Sequence, residues 1–375
     1  MTALHTRNLD PATLATQAAR EALADAGLAP SELGLVIAAN AMGGRLLDQG
    51  CIRGQSWLRN VGLAGAPVIN VDNSCAGGSS ALHLAVTAAR AGQSPVLAVG
   101  VEKMWTGDRA ATLAGVEDGL PADERARLHA HHDNASGSVL MGLNARWVQR
   151  QMAERATTVH HVAAAAAKAR RCAAANPKAQ FRQAVTEEDV LASPTVVGPL
   201  TRLMCSSFTD GAAAVVVAAG GTGPKVRASV ARSGSGELEY HDRLAQTAAE
   251  AWKQASVDPS DIDVVELHDA TSAEELYAAE ALGFFEPGAA GPATAQGRTA
   301  PGGGAVCVNP SGGLVGRGHP LGATGLCQVV EVVEQLRGAG GDRQVDGARL
   351  AVTVNTGGIV SGDAAFVAIH VLERV

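Results

Sequence analysis

Aromatic side chains are scarce in this chain. Of 375 residues only 3% are Phe, Trp or Tyr, and two are tyrosines, although 46% are apolar. A core built mainly from Ala, Gly, Val and Leu packs its helices and strands close together. The six cysteines, at 51, 75, 172, 205, 307 and 327, form no CxxC pair. Zinc-site spacing is therefore missing, and no metal is expected. No run of Lys and Arg stands out and the net charge is -7, which argues against nucleic acid as a partner. No apolar stretch reaches transmembrane length, so no membrane partner is expected. The opening MTALHTRNLDPATL lacks the apolar segment of a secretory signal, and LERV at the other end is not a peroxisomal address. These absences predict a cytoplasmic protein with reduced thiols.

A duplication is present. Its length suits two or three domains or one repeated unit. LATQAAREALADAGLAPSELGLVIAAN (14–40) and LAQTAAEAWKQASVDPSDIDVVELHD (244–269) both read as an Ala-rich amphipathic helix, a Pro-Ser turn with an acidic residue, and a strand. Leu14, Ala15, Ala18 and Ala19 fall on Leu244, Ala245, Ala248 and Ala249. Pro30 and Ser31 fall on Pro259 and Ser260 once one residue is skipped. VINVDNSCAGGSSALHLAVTAARAG and CVNPSGGLVGRGHPLGATGLCQVVEVVEQLRG agree in kind, as strand, small-residue turn and helix. Each is followed by a strand, PVLAVGVE (95–102) or RLAVTVN (349–355). Alternating strands and helices with near-continuous apolar strands imply mixed sheets covered by helices on both faces.

The halves are 1–218 and 224–375, joined at the Gly-rich AAGGTGPK (218–225). An insertion at about 105–200 in the first half carries a long Ala-rich helix (VHHVAAAAAKARRCAAANP) and a short one (TEEDVLAS), and is expected to cover a site or form an interface. The second half opens with a strand, KVRASVAR (225–232), that has no counterpart before residue 1. The first N-terminal strand is thus missing from the pattern. Either a start upstream or another covering of that sheet edge is expected.

Cys75 sits in NSCAGGSSAL, between an apolar strand and a helix. At a helix N-terminus the dipole and free backbone N–H groups favour a thiolate and can bind an oxyanion. The competing reading is an ordinary buried cysteine. RGHPLGATG places His319 in the symmetry-related turn, which the duplication brings near Cys75 as a Cys–His pair requires, unless it merely caps a helix. ELHDATS places His268 at a strand end, where open α/β sheets bind ligands. Asp269 next to it could instead cap the helix AEELYAAEAL. NTGG (355–358) ends another strand and offers the backbone N–H of Gly357 or Gly358.

NVDNSCAGGSSAL, VGVEKM, SSFTDGAAAVVVA, VELHDATSAEELYAAEALGF, NPSGGLVGRGHPLGATG and NTGGIVSGDAA occur in this order over nearly the whole chain. In them the chain resembles the thiolase superfamily, most of all the thiolase part of sterol-carrier-protein-X-type proteins and bacterial lipid-transfer-type thiolases. The resemblance implies an α/β fold of duplicated thiolase type, five-layered αβαβα with mixed sheets. It implies an acyl-CoA or other acyl thioester as substrate, no further cofactor, a homodimer, and a small OB-fold-type partner protein of the kind some relatives use. By the same resemblance Cys75 is the acylated nucleophile and His319 the histidine that activates it. His268 takes the place of the group that binds the thioester oxygen. The backbone N–H groups of Cys75 and of Gly357 or Gly358 form a second oxyanion hole.

One feature departs from the family. Thiolases use a second cysteine as acid/base, in a C-terminal CxGxG-type motif or in HDCF. Here those places hold Asn355 and Ala270, and neither Cys307 nor Cys327 matches a motif position. A Cys–His–His set is similar to that of decarboxylating ketoacyl synthases. The family's retro-aldolases lack the cysteine and use tyrosines, which this chain does not match at position 268. The leading expectation is acyl transfer through Cys75, ending in C–C bond formation (Claisen-type condensation or C-acylation) in lipid or specialised metabolism. The alternatives are a degradative 3-ketoacyl-CoA thiolase with His268 replacing the second cysteine, and a non-catalytic lipid-binding subunit.

Overall fold

The structure, a computed structural model, describes residues 1–5, 9–131 and 138–375, with the side chain of 131 left out. In chain order the longer elements of the first half are α1 (Pro11–Ala26), β1 (Leu35–Ala39), β2 (Val68–Val71), α2 (Gly77–Arg90) and β3 (Val96–Glu102). Then come α3 (Arg109–Glu117), α4 (Ala122–His131), α5 (Val139–Glu154), α6 (Val159–Ala174), α7 (Glu187–Ala192) and β4 (Gly211–Val217). The second half has β5 (Lys225–Ser233), α8 (Tyr240–Ala255), β6 (Val264–Glu266), α9 (Ser272–Ala281), β7 (Cys307–Val308), α10 (Thr324–Leu336), β8 (Leu350–Val360) and β9 (Asp363–Glu373).

Two mixed sheets result. The first has the order β2-β1-β3-β4, parallel except for the β3/β4 pair. The second has the order β5-β9-β8-β6-β7, with β8/β9 and β9/β5 antiparallel. Between the sheets lie α2 and α10. Their apolar faces (Ala81, Leu82, Ala85; Leu326, Val329, Val332) share one core with Leu35, Ile37 and Ala98 from the first sheet and Ala351 from the second. The other face of β1 and β3 packs on α1 through Val36, Ala38, Leu97 and Val99 against Leu14, Ala15 and Ala18. The outer face of the second sheet is covered by α6, α8 and α9. Helix, sheet, helix pair, sheet, helix makes the five-layered αβαβα arrangement. Central strands such as β1 are buried on both faces, which is why they read as unbroken apolar runs.

The internal repeat is real but shifted by one residue. The buried stripe of α1 is Leu14, Ala15, Ala18, Ala19, and that of α8 is Arg243, Leu244, Thr247, Ala248. Leu14 therefore corresponds to Arg243 and not to Leu244. With this shift the turns at Pro30 and Pro259 match with no skipped residue. Identity of letters misled the alignment because Arg243 is buried for its charge, donating to Asp363 at 2.8 Å.

The first sheet has four strands against five in the second. Among the described residues, the place equivalent to β5 holds only the chain's first residues. Thr2 N donates to Ala212 O at 2.9 Å, and His5 and Asp210 exchange backbone bonds at 3.2 and 2.8 Å, at the start of β4 alone.

Helices α6 and α7 lie where the Ala-rich and TEEDVLAS helices are expected, and α3, α4 and α5 add three more to that region. Helix α6 is buried among elements of the second half. Its Lys168 is fully enclosed and donates to Glu275 at 2.6 Å and to Val308 O at 2.7 Å. Removing one partner of a buried ion pair costs about 3–5 kcal/mol, because the other charge is left uncompensated. Lys168→Met is expected to lower the unfolding free energy by about that amount in urea denaturation. The double change Lys168→Met, Glu275→Leu is expected to recover most of the loss.

Candidate active site

The site forms where the two central helices meet end to end. After β2 the chain turns through Asp72–Ala76 with Ser74 at φ 50, a left-handed conformation, and the bonds Ala76 N to Asn73 O (2.9 Å) and Gly77 N to Ser74 O (3.1 Å) close the elbow. Cys75 stands at its apex just before α2, partly exposed, with its Sγ 3.8 Å from Ser74 Oγ. Only small residues allow the approach of the second half. A Cβ on Gly78 would lie 2.9 Å from Leu326 N, and one on Gly357 would strike Asn73 O and come within 2.8 Å of Ala76 N.

Cys75, His268 and His319 are brought together: one ligating atom from each lies within 4.8 Å of the others. The two imidazoles are edge to face with centroids 5.1 Å apart. Gly357 lies against the Cys75 elbow. Gly358 is beside it at φ 67, facing Gly119 O of the inserted region, whose Gly119 O also accepts from Ile359 N at 3.2 Å. The NTGG segment does not end a strand as expected. Strand β8 runs on to Val360, turns at Ser361 and Gly362, and returns as β9, with Asn355 opposite Ala368 and Gly357 opposite Phe366. The long antiparallel pairing with β9 is what extends it.

Each histidine has a fixed partner. His319 Nδ1 is 2.7 Å from Thr324 Oγ1, and that hydroxyl donates its only proton to Pro320 O at 3.0 Å. The Thr324 oxygen must accept from Nδ1–H, so Nε2 of His319 is a free base. His268 Nδ1 meets the Asn355 amide nitrogen at 2.8 Å. The backbone of His319 is held by Thr209, whose Oγ1 accepts from its N–H at 3.0 Å. The loop leading to it is clamped by buried Glu266, which accepts from Ser311 Oγ at 2.7 Å and Arg317 Nη1 at 3.0 Å. Glu102, at the end of β3, ties the halves together. It accepts from Asn40 Nδ2 (2.7 Å), Ala41 N and Met42 N (both 3.1 Å) and, across the interface, Gly322 N (2.8 Å).

The site is electrostatically dry. Burial pushes the Cys75 thiol up to about 12, against the Ser74 hydroxyl and helped by nearby Glu102. Burial brings His268 down to about 3. It also holds His319 well below its usual value, with His268 and Arg317 adding to the effect. Glu102 is raised to about 7 by burial, despite its backbone donors. At rest, thiol and both imidazoles are neutral. The same three residues are the one group of metal-ligating side chains close enough for an ion among the described residues. They do not fit one. The Asn355 amide donates to Nδ1 of His268, which leaves the ring proton on Nε2, the nitrogen a metal would need.

Asp269 does not cap the helix that follows it. Its carboxylate accepts from Leu314 N at 2.7 Å and Val315 N at 3.4 Å in the short helix Gly313–Gly316 before His319, and Thr271 stands at the start of α9. No other cysteine joins the cluster among the described residues. Cys307 and Cys327 are buried elsewhere, and Cys205, near Thr271, turns its thiol to Thr201 O at 3.4 Å. Thr324, Glu102 and Thr209 were not singled out from sequence. Thr324 alone left a signal, five residues after His319 at the start of α10.

Residues 1–220 match the family Thiolase, N-terminal domain, and residues 228–370 match Thiolase C-terminal domain-like. The chain is 37% identical over 373 residues to an acetyl-CoA acetyltransferase of Methanothermobacter thermautotrophicus, covering 96% of this chain and 93% of that protein. It is 34% identical over 370 residues to Bos taurus sterol carrier protein 2, covering 93% of this chain and 67% of that protein. It is 34% identical over 328 residues to the benzoylsuccinyl-CoA thiolase subunit BbsB of Thauera aromatica, covering 82% and 81%. In fold it is similar to an Ltp2-ChsH2(DUF35) aldolase (TM-score 0.80, 23% identity, 100% of this chain and 95% of the other). It is also similar to human mitochondrial 3-ketoacyl-CoA thiolase (TM-score 0.72, 16% identity, 100% and 96%). With both halves matched and these relatives spanning most of its length, the chain belongs to the thiolase family and is a thiolase-family acyltransferase.

Proposed function

We propose that this acyltransferase takes an acyl group from a CoA-type thioester onto Cys75 and passes it to a carbon acceptor. The observation that carries the reading is a Cys–His–His cluster in which His319 presents a free Nε2 and which no second thiol joins among the described residues. His319 Nε2 takes the S–H proton as sulfur attacks the thioester carbonyl. The developing oxyanion is met by the His268 ring and the backbone N–H groups of Cys75 and of Gly357 or Gly358. The tetrahedral centre collapses, the C–S bond to the leaving group breaks, and the proton on His319 goes to the departing thiolate. In the second half-reaction a carbanionic carbon attacks the acyl-cysteine and the Cys75 thiolate leaves; its proton comes from solvent, because His319 gave its own to the first leaving group. An acceptor that generates its own carbanion, for instance by losing CO2, needs no second base.

Ordinary degradative thiolysis with His268 as replacement base is less well supported, because Nδ1 of His268 is already occupied by an amide donor. A purely binding role leaves the fixed His319 tautomer without a purpose. For assembly, strand β2 closes one edge of the first sheet with Ile69 49% exposed, and this open edge supports a homodimer formed by edge-to-edge pairing of two copies. The similar solved structure pairs Ltp2 with ChsH2(DUF35), which supports a small partner protein. No helix among the described residues is long and apolar enough to cross a membrane.

Intact-mass analysis after mixing with acyl-CoAs of varied size is expected to show one acyl adduct on Cys75, absent in Cys75→Ala. His319→Ala should slow adduct formation by about 10²–10⁴, the usual contribution of a general base. Thiolysis of acetoacetyl-CoA should be weak, and robust turnover would overturn the condensation reading. A thiol raised to about 12 is almost wholly protonated near pH 7. Iodoacetamide labelling of Cys75, mapped by peptide mass, should therefore rise about tenfold per pH unit between 7 and 10. Exposed Cys51 should label first.

A further inference from the structure

Asn355 stands where the family's acid/base cysteine would be, and the geometry gives it a different task. It is fully buried, and its amide nitrogen is 2.8 Å from His268 Nδ1. An amide nitrogen only donates, so Nδ1 accepts and the ring's one proton sits on Nε2. With the amide turned over, Oδ1 would face Nδ1, the proton would move there, and Nε2 would direct a lone pair at the reacting oxygen. One amide's orientation thus decides whether His268 stabilises or repels an oxyanion.

An amide is oriented by what meets its other end. Asn355 Oδ1 has no hydrogen-bond partner, and neither do Ser79 Oγ and Thr353 Oγ1, all buried. Thr353 and Asn355 are two apart on β8 and share a face. Thr353 is directly opposite His370, and His370 is opposite Ser229. Ser229 Oγ meets His370 Nδ1 at 3.0 Å and His83 Nδ1 at 2.9 Å. His83 is one turn beyond Ser79 on α2, so Ser79 lies above the same strip. Ser79 Oγ and, at 2.9 Å, Asn355 Oδ1 both border the position that a Cβ on Gly325 would occupy. Gly325 has none, and this lets Ser79 and Asn355 both close in on its backbone. Buried polar groups rarely stay unpaired, and the Ser79 hydroxyl is a donor beside the unpaired Oδ1.

We propose that Asn355 is a positioning residue that fixes His268 as an Nε2–H donor, and that the neighbouring Ser79 hydroxyl, by donating to Oδ1, holds the amide in that orientation. This rests on the acyl-transfer reading of the site. The test starts with the unaltered protein, labelled with 15N-histidine, in a long-range 1H–15N spectrum. His268 is assigned by the signals lost in His268→Gln. The expected result is a bare Nδ1 and a protonated Nε2; a protonated Nδ1 overturns the proposal without any variant having to fold. Asn355→Asp, whose carboxylate accepts from Nδ1–H, should invert the tautomer. It should also cut the single-turnover acylation rate of Cys75 about 10²–10³-fold, the usual cost of one oxyanion donor, with half-saturation by thioester unchanged. Ser79→Ala should give a mixture of tautomers and a fall of about tenfold or less, in line with one hydrogen bond. Full acylation rates in both variants would overturn the assignment. If the unaltered chain forms no Cys75 adduct with any thioester, the acyl-transfer reading fails on its own, while the spectrum still decides the tautomer.

Discussion

The structure depends on one close approach, that of the α2 and α10 N-termini between the two sheets. Backbone meets backbone there. Gly78 lies under Leu326 N, and a Cβ on Gly100 would stand 2.5 Å from Gly322 O. No ordinary side chain fits at these points, so Gly, Ala and Ser fill both turns. The scarcity of aromatics follows from the same constraint. A central helix layer shared by two sheets leaves little depth for large rings, and alanine-rich stripes let the layers close. What the approach gains is placement. A cysteine ahead of one helix and a histidine ahead of the other meet at the pseudo-symmetry axis, each on a turn that its own half holds rigid. Glu102 locks the arrangement by accepting from both halves at once.

Burial sets the chemistry of what meets there. A thiol near 12 beside an imidazole held low cannot exist as a resting ion pair. On the proposed acyl transfer, the proton moves during attack, and the charge that appears on the carbonyl oxygen is met by dipoles already in place. In a dry site such dipoles are worth more than in water and need no rearrangement. The tautomers fixed by Thr324 and Asn355 fit this requirement: one ring accepts a proton and the other donates a hydrogen bond.

Much of this was legible in the chain. The duplication, the insertion's two predicted helices, and the trio Cys75, His268 and His319 all rest on local patterns: alternating apolar runs, small-residue turns and their order. The repeat was aligned one residue off because letter identity favoured Leu244 over the buried Arg243, whose partner Asp363 is far along the chain. NTGG reads as a strand end because its glycines look like a stop signal. Only pairing with β9 carries the strand through it. Glu102 could not be picked out at all, since its four donors come from segments remote in sequence. Asn355 was visible only as a missing cysteine, for a side chain's task depends on which atom it faces.

The exchange of cysteine for asparagine therefore does more than remove a proton carrier. A thiol at that place can give or take a proton and leaves the nearby ring free to choose its tautomer. An amide does neither: it cannot titrate, and by donating it commits His268 to one hydrogen-bonding role. On the proposed acyl-transfer reading, a site so committed leaves His319 as its one base and is poorly suited to reactions in which an acceptor must also be deprotonated or a carbanion protonated on the spot. It keeps those whose acceptor supplies its own electron pair. Loss of general acid/base help costs about 10²–10⁴ where a proton must move, and nothing where none does. The same substitution can thus suppress cleavage by thiolysis while leaving acylation, and transfer to a self-activating carbon, at full rate.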